Sequence, residues 1–312
     1  MRSTLEKPGM GHLSGKTIII GASGFIGRAL ARDCQNSGLR SVGFSSQDGN
    51  LLTKAGLAKI ASACDDGDQI VFCANHRFSR RDSLDDMQKN IEIASNFARL
   101  LQQKKIRSAL YLSSVDVYGL PSTNLPITEK TLPRPTSYYG ISKLCSESIL
   151  QIDLACPLTI LRLPGVFGAG DQRASVIGKF AWQISRGLPT FLQKEGSIKR
   201  DFIPVQLVVS LIRRLLRQPS DEVINVVTGK SLTIAEWVKL IAARLGKPVK
   251  ILNGNNDFAR ARDLIFDAAK LRQIAPEIAQ VNIEAALDAY LFSDEEQFAA
   301  RPQTEQSNTL TA

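Results

Sequence analysis

Apolar, β-branched runs alternate with amphipathic stretches along the first half of the chain. Lys16–Ile20 is rich in β-branched residues, the pattern of a strand buried on both faces, and Arg28–Cys34 after it reads as a helix. The alternation continues with predicted strands at Ser41–Phe44, Gln69–Ala74, Ala109–Ser113 and Leu158–Arg162. Helices are predicted between them at Leu57–Ala63, Leu84–Lys104 and Tyr139–Gln151. Strands separated by helices imply an α/β fold with a parallel sheet covered on both faces. Past about residue 168 the rhythm is less regular. Helical stretches near Val176–Arg186, Val208–Arg217, Ile234–Leu245 and Ile283–Tyr290 are separated by short strand-like pieces, as in a smaller mixed α/β domain. The expected division is a disordered lead-in at 1–14, a sheet domain at 15–168, a second domain mainly at 169–292 with some segments returning to the sheet, and a disordered polar tail at 293–312.

The loop between the first strand and the first helix holds Gly21, Gly24 and Gly27, spaced GxxGxxG, with Ser23, Phe25 and Ile26 among them. In that setting the first glycine permits the tight turn and the second lets the backbone approach a pyrophosphate. The third lets the helix pack on the strand. The helix N-terminus adds free N–H groups and a positive dipole end. The pattern predicts a Rossmann-type doubly wound domain that binds NAD or NADP through Gly21, Ser23, Gly24, Phe25, Ile26 and Gly27. An NAD site usually has Asp or Glu at the end of the second strand to hold the ribose 2′-hydroxyl. Here Phe44-Ser45-Ser46-Gln47 has no acid. Ser45 and Ser46 could donate to a 2′-phosphate, with Arg28 within reach, so this stretch leans toward NADP.

Further along, Tyr139 and Lys143 lie four residues apart, downstream of a serine cluster at Ser113-Ser114. On a helix that spacing puts phenol and ammonium on one face. A phenol with a pKa near ~10 is a poor base at neutral pH, and a fixed cation beside it favours the phenolate.

Composition narrows the partners. With 312 residues, 44% of them hydrophobic, the chain can bury a large core as one big domain or two joined ones. No apolar run approaches the ~20 residues of a membrane span, and the start lacks a signal peptide's apolar core, so a cytoplasmic protein is expected. Five cysteines without CxxC spacing fit reduced thiols, and two histidines exclude a histidine-rich metal site. No metal is expected. The formal charge of +9 points to an anionic partner. No basic block is long enough, or interleaved enough with aromatics, for nucleic acid, which leaves surface solubility together with a small phosphate-bearing ligand.

Five segments in order carry a resemblance: GASGFIG at Gly21–Gly27, SSVDVYG at Ser113–Gly119, YGISK at Tyr139–Lys143, LRLPGVFGAGD at Leu161–Asp171 and KRDFIPV at Lys199–Val205. Over roughly Gly15 to Tyr290 the chain resembles the extended short-chain dehydrogenase/reductases, in particular the NAD(P)-dependent nucleotide-sugar epimerase/dehydratase family. The resemblance implies that Ser114 bonds the reacting sugar oxygen and Tyr139 is the acid/base. Lys143 is implied to bind the nicotinamide ribose and depress the tyrosine pKa. It assigns Ala74 and Asn90 to cofactor-lining positions on and after the fourth strand, and Pro164 to Val166 to the segment beside the nicotinamide. Arg200 corresponds to a residue contacting the substrate phosphates, a role its fork of donors suits. His76 falls in a loop facing nicotinamide or substrate, where it is either a substrate contact or a surface histidine. Arg77, Arg80 and Arg81 follow it as diphosphate attractors or a solvated charge run. Tyr118 reads as packed or substrate-lining. Asp116 is placed among the substrate contacts.

Two departures qualify the resemblance. The dehydratase branch has an Asp-Glu pair after the Ser/Thr, and here Val115-Asp116 lacks the first carboxylate, which argues against a 4,6-dehydratase. Val205-Gln206-Leu207 also lacks acids that many members have there. The implied activity is therefore a 4-epimerase acting on a UDP-, dTDP- or GDP-linked sugar through a transient 4-keto sugar. The alternative within the class is an NADPH-dependent 4-keto-sugar reductase, and outside it a non-catalytic dinucleotide sensor or RNA-associated protein. The family implies a homodimer through helices around Ser95 and Ser142.

Overall fold

The computed structural model describes residues 15–76, 82–120, 126–171, 175–254 and 262–293. The expectations for the lead-in, the tail, Arg77, Arg80 and Arg81 lie outside the described residues. The chain falls into two compact units. The first takes its described residues from Met1–Gly119, Leu132–Leu163 and Val209–Ile224, and the second from Leu120–Thr131, Pro164–Val208 and Asn225–Ala312.

In the first unit β1 (Thr17–Ile20), α1 (Phe25–Asn36), β2 (Ser41–Phe44), α2 (Lys54–Ala63), β3 (Gln69–Phe72), α3 (Leu84–Leu101), β4 (Ser108–Ser114), α4 (Tyr138–Asp153) and β5 (Leu158–Leu163) alternate along the chain. With β10 (Val223–Asn225) the strands form a six-stranded sheet in the order β10-β5-β4-β3-β1-β2. The pairs from β2 to β5 are parallel. This is the Rossmann-type doubly wound α/β fold expected from the sequence. Every residue of β1, β3, β4 and β5 is buried, which is why these strands read as continuous apolar runs rather than alternating ones. Phe72 stacks on Phe97 of α3 with ring centroids 4.2 Å apart, and Tyr111 packs beside Phe72 at 5.3 Å. The buried Gln69 amide donates to Ser108 Oγ at 2.9 Å and to the Leu216 carbonyl at 2.7 Å.

β1 pairs with β2 on one side and β3 on the other. The winding therefore reverses between β1 and β3, and in open α/β sheets the crevice at such a switch point, at the carboxyl ends of the strands, takes the ligand.

The second unit includes three short strand pairs. β6 (Gly165–Phe167) runs parallel to β9 (Phe202–Pro204), β7 (Thr190–Leu192) parallel to β12 (Ile251–Asn253), and β8 (Lys199–Arg200) antiparallel to β11 (Leu232–Thr233). α5 (Val176–Ser185), α7 (Ile234–Leu245) and α10 (Ile283–Leu291) enclose a core of Phe167, Trp237, Ile241 and Tyr290. α7 begins with a capping box between Thr233 and Glu236, and ends on Gly246 in the left-handed region. Two short helices, α8 (Ala269–Ile274) and α9 (Pro276–Ala279), precede α10. α6 (Val205–Arg217) leads back toward β10 along the chain.

Some predicted bounds move. The first helix starts at Phe25 rather than Arg28, because Gly24 is its extended N-cap. The strand from Gln69 stops at Phe72, so Ala74 follows it, and that strand is the third in the chain rather than the fourth. α6 begins at Val205, three residues before the predicted start. Among the described residues no helix is long and apolar enough to cross a membrane.

Candidate active site and cofactor cradle

The glycine loop is tight in the way its spacing requires. Gly21 sits at φ 90°, and a Cβ built on it would lie 2.7 Å from Ala74 N. A Cβ on Gly27 would lie 2.2 Å from Gly21 O, so the helix closes directly on the turn. Gly24 is different: its Cβ would meet only Gly21 O, at 3.2 Å, and elsewhere face open space. These are the conditions for a diphosphate to approach the backbone at the start of α1, and the residues present fit a dinucleotide. Ser23 is exposed there, Phe25 and Ile26 form the first turn, and Arg28 Nη1 donates to Ser23 O at 2.7 Å.

The end of β2 is tied to this loop. Phe44 O accepts from Gly21 N at 2.8 Å and Ala22 N at 2.9 Å. Ser45 follows, but its hydroxyl is engaged: it donates to Asp48 Oδ1 at 2.9 Å, and its backbone N–H donates to the same oxygen at 2.6 Å. Ser46 is exposed. The acid-free stretch Phe44–Gln47 thus ends one residue short of a carboxylate that folds back onto Ser45. Asp48 escapes a reading confined to the strand end, although its three-residue spacing from Ser45 is the ordinary signal of a side-chain-capped turn.

Ser114, Tyr139 and Lys143 belong to the same unit. β4 delivers Ser114, whose Oγ accepts from Asp116 N at 3.1 Å and caps the short 3-10 turn Val115–Tyr118. The Ser114 hydroxyl also hydrogen-bonds the Tyr139 phenol. Tyr139 sits in the first turn of α4, where Ser137 caps the helix and Asp82 accepts from Tyr138 N at 2.7 Å and Tyr139 N at 2.9 Å. Lys143, one turn on, is buried and donates to Leu112 O at 2.9 Å. Its Nζ lies 5.0 Å from the Tyr111 ring centroid and 5.7 Å from that of Tyr139.

The electrostatics correct one expectation. Burial pushes the Tyr139 phenol above its ordinary value, the Asp116 charge adds to the rise, and the Ser114 hydrogen bond only opposes it. Lys143 pays for burial itself: desolvation lowers it to about 8, with Cys73 and Glu147 pulling the other way. The phenol is therefore raised here rather than lowered.

Below this trio lies a buried ionic network. Arg162 on β5 donates to Glu147 through Nε at 3.0 Å and Nη2 at 2.6 Å, and to Tyr118 Oη through Nη1 at 2.9 Å. Ser113 Oγ donates to Glu147 as well. Tyr118 is thus a packed residue, 2% exposed. The sequence reading missed Glu147, although its position four residues after Lys143 on the same helix face was available.

At the switch point Ala74 lies against Gly21. Asn90, buried on α3, accepts from His76 N at 2.7 Å and donates to Asp86 O at 2.9 Å. His76 Nε2 lies 3.1 Å from Asp86 Oδ1, and Ser83 Oγ donates to Asp86 Oδ2 at 2.9 Å. His76 is a half-exposed ring held by a buried carboxylate. Pro164, Val166 and Arg200 belong to the second unit. There Val166 pairs with Ile203, and Arg200 Nη1 donates to Lys199 O and Arg262 O, both at 2.7 Å. Asp201 is buried and accepts from Thr228 N and Gly229 N, fixing the neighbouring loop.

The model of the NAD dependent epimerase/dehydratase family matches residues 17–227. Among curated proteins, the chain is 35% identical over 173 residues to GDP-6-deoxy-D-mannose reductase of Pseudomonas aeruginosa, covering 52% of this chain and 57% of that protein. It is 30% identical over 158 residues to dTDP-L-rhamnose 4-epimerase of Burkholderia thailandensis, covering 47% and 43%. The chain thus spans about half the length of these relatives. Among solved structures, RMD from Pseudomonas aeruginosa complexed with NADPH superposes with a TM-score of 0.76 at 25% identity, covering 91% of this chain and all of that one.

Proposed function

Because this chain belongs to the NAD dependent epimerase/dehydratase family, we propose that it is an NAD(P)-dependent 4-epimerase of a nucleotide-activated sugar. The observation that carries the reading is the convergence of Ser114, Tyr139 and Lys143 in the unit that holds the glycine cradle. Gly21 to Gly27, Ala74 and Asn90 would hold the dinucleotide, with Pro164 and Val166 along its nicotinamide end. When bound, the nicotinamide supplies the hydride acceptor and donor. Tyr139 takes the proton from the sugar 4-hydroxyl and returns it, and Ser114 donates to the same oxygen as charge develops on it. Lys143 supplies positive charge on the phenol's side. His76, aligned by Asp86, together with Asp116, faces the sugar, and Arg200 takes the diphosphate. A cytoplasmic homodimer along α3 and α4 completes the reading.

A specific observation favours the second reading, a 4-keto-sugar reductase. The match at 35% identity over 173 residues, to GDP-6-deoxy-D-mannose reductase of Pseudomonas aeruginosa, is to a reductase. Incubation with UDP-, dTDP- and GDP-sugars separates the two. Interconversion of sugars without net cofactor change means epimerase, and net consumption of reduced cofactor with a 4-keto sugar means reductase. Tyr139→Phe is expected to abolish turnover while leaving dinucleotide affinity within about twofold, since only the proton-transfer group is lost. Near wild-type turnover in that variant would overturn the assignment.

A further inference from the structure

Lys143 carries a charge into the interior, and the groups around it differ in how well they can hold that charge. Leu112 O accepts one N–H bond from Nζ at 2.9 Å, and among the described residues no second oxygen or nitrogen is bonded to it. Cys73 and Glu147 also face the ammonium. The Cys73 thiol attracts it only once ionised, and burial pushes that up to about 12. The Glu147 carboxylate is already paired, since Arg162 donates to both of its oxygens and Ser113 Oγ donates as well. Two aromatic faces remain, Tyr111 with its ring centroid 5.0 Å from Nζ and Tyr139 at 5.7 Å. Tyr139 is the reacting phenol of the proposed chemistry. Tyr111 is the nearer ring and takes no part in that chemistry.

Tyr111 is held so that its ring cannot swing away. On β4 it lies between Phe72 of β3 and Ile160 of β5 in the sheet register. Its ring packs beside Phe72 at 5.3 Å, and the residue is buried. The hydroxyl hydrogen-bonds Ser146, whose Oγ donates to Ser142 O at 2.8 Å on the turn of α4 that carries Lys143. Burial raises the Tyr111 phenol, and Tyr139 and Glu147 add to the rise, so the ring faces the ammonium as an uncharged phenol rather than as a phenolate.

We propose that Tyr111 is a positioning residue whose ring face holds the Lys143 ammonium, charged, beside Tyr139. A cation within about 6 Å of a ring centroid is attracted by the ring quadrupole, most strongly where water is excluded. A ring face presents no oxygen to engage an N–H, so donors of Lys143 are left for the hydroxyls of a nicotinamide ribose. That last consequence rests on the dinucleotide reading of Lys143, whereas the hold of the ring on the ammonium is measured without any cofactor.

The test follows the charge of Lys143 in the full chain. Isotope-labelled lysine Cε is observed by NMR through a pH titration, and the Lys143 signal is the one lost in Lys143→Met. The wild-type midpoint is expected at about 8. Tyr111→Leu removes the ring and should bring the midpoint to about 7, a tenfold shift toward the neutral amine. Tyr111→Phe loses the Ser146 hydrogen bond but keeps the face, and its midpoint should stay close to the wild-type value. A phenylalanine with a fluorinated ring at position 111 keeps that packing and strips the face of its negative charge. It should match Tyr111→Leu, so the test stands even where Tyr111→Leu does not fold. A purely structural role would lower the melting temperature of Tyr111→Leu and leave every midpoint unmoved, which would overturn the proposal. An equal fall in Tyr111→Phe and Tyr111→Leu would overturn it as well. NADH titrated by fluorescence should bind Tyr111→Leu about threefold more weakly than the wild type at about pH 7.5, and equally at about pH 6, where both ammonium groups are charged. Shifted midpoints with unchanged NADH affinity would count against the dinucleotide reading of Lys143 and leave the hold of Tyr111 standing.

Discussion

Lys143 keeps its ammonium where a charge is costly, and that cost has a sign. Its folded pKa is about 8 against an ordinary 10.5, so between those values the unfolded chain binds more protons than the folded one. Stability contributed through this group therefore rises with pH across that window, and below about 8 the full burial penalty is present. Lys143→Met is expected to raise the melting temperature at pH 7 while abolishing turnover. Its advantage over the wild type should fade between about pH 8 and 10.5 in thermal melts at stepped pH. Residues such as Tyr139, Lys143 and the three glycines were legible in the sequence because their meaning lies in short spacing. Asp82 was not: it accepts from Tyr139 N across 57 residues, and no local pattern marks that partnership. The acidified phenol was expected from the spacing to Lys143 and from the resemblance, whereas burial and the Asp116 charge raise it.

At the scale of elements, α4 is fixed by two devices of different strength. Asp82 adds its carboxylate to the Ser137 cap at the helix start, and Asp82→Ala should cost about 1 kcal/mol in urea unfolding. The Glu147–Arg162 pair joins α4 to β5, and through Ser113 and Tyr118 to β4 and the turn after it. Glu147→Leu leaves a buried guanidinium unpaired and should cost roughly 3–5 kcal/mol, while Glu147→Leu with Arg162→Met should cost far less. Double-mutant denaturation curves check this. Ile234–Leu245 was read to the residue, since caps and periodicity mark such helices in the sequence. The two- and three-residue strands of the second unit were not, because so few residues carry no period.

For the molecule as a whole, the parallel sheet was implicit in the strand–helix alternation, whereas its strand order and the source of its last strand were not. β10 comes from Val223–Asn225, in the part of the sequence expected to be mainly a second domain with some segments returning to the sheet, and no pattern marked this segment as the one that returns. That has a consequence for synthesis. The sixth strand leaves the ribosome about sixty residues after the fifth, a delay of about 3–12 s at ordinary elongation rates. Until then β5 is a nascent sheet edge. Ile160 N, which will donate to Glu222 O, and the Thr159 hydroxyl, which will donate to Ser220 O, both await partners not yet translated. An open apolar edge is a template for pairing with other chains. The growing polypeptide is thus most exposed to aggregation, and most in need of a chaperone, in the seconds between completing Ser114, Tyr139 and Lys143 and closing the sheet that carries them.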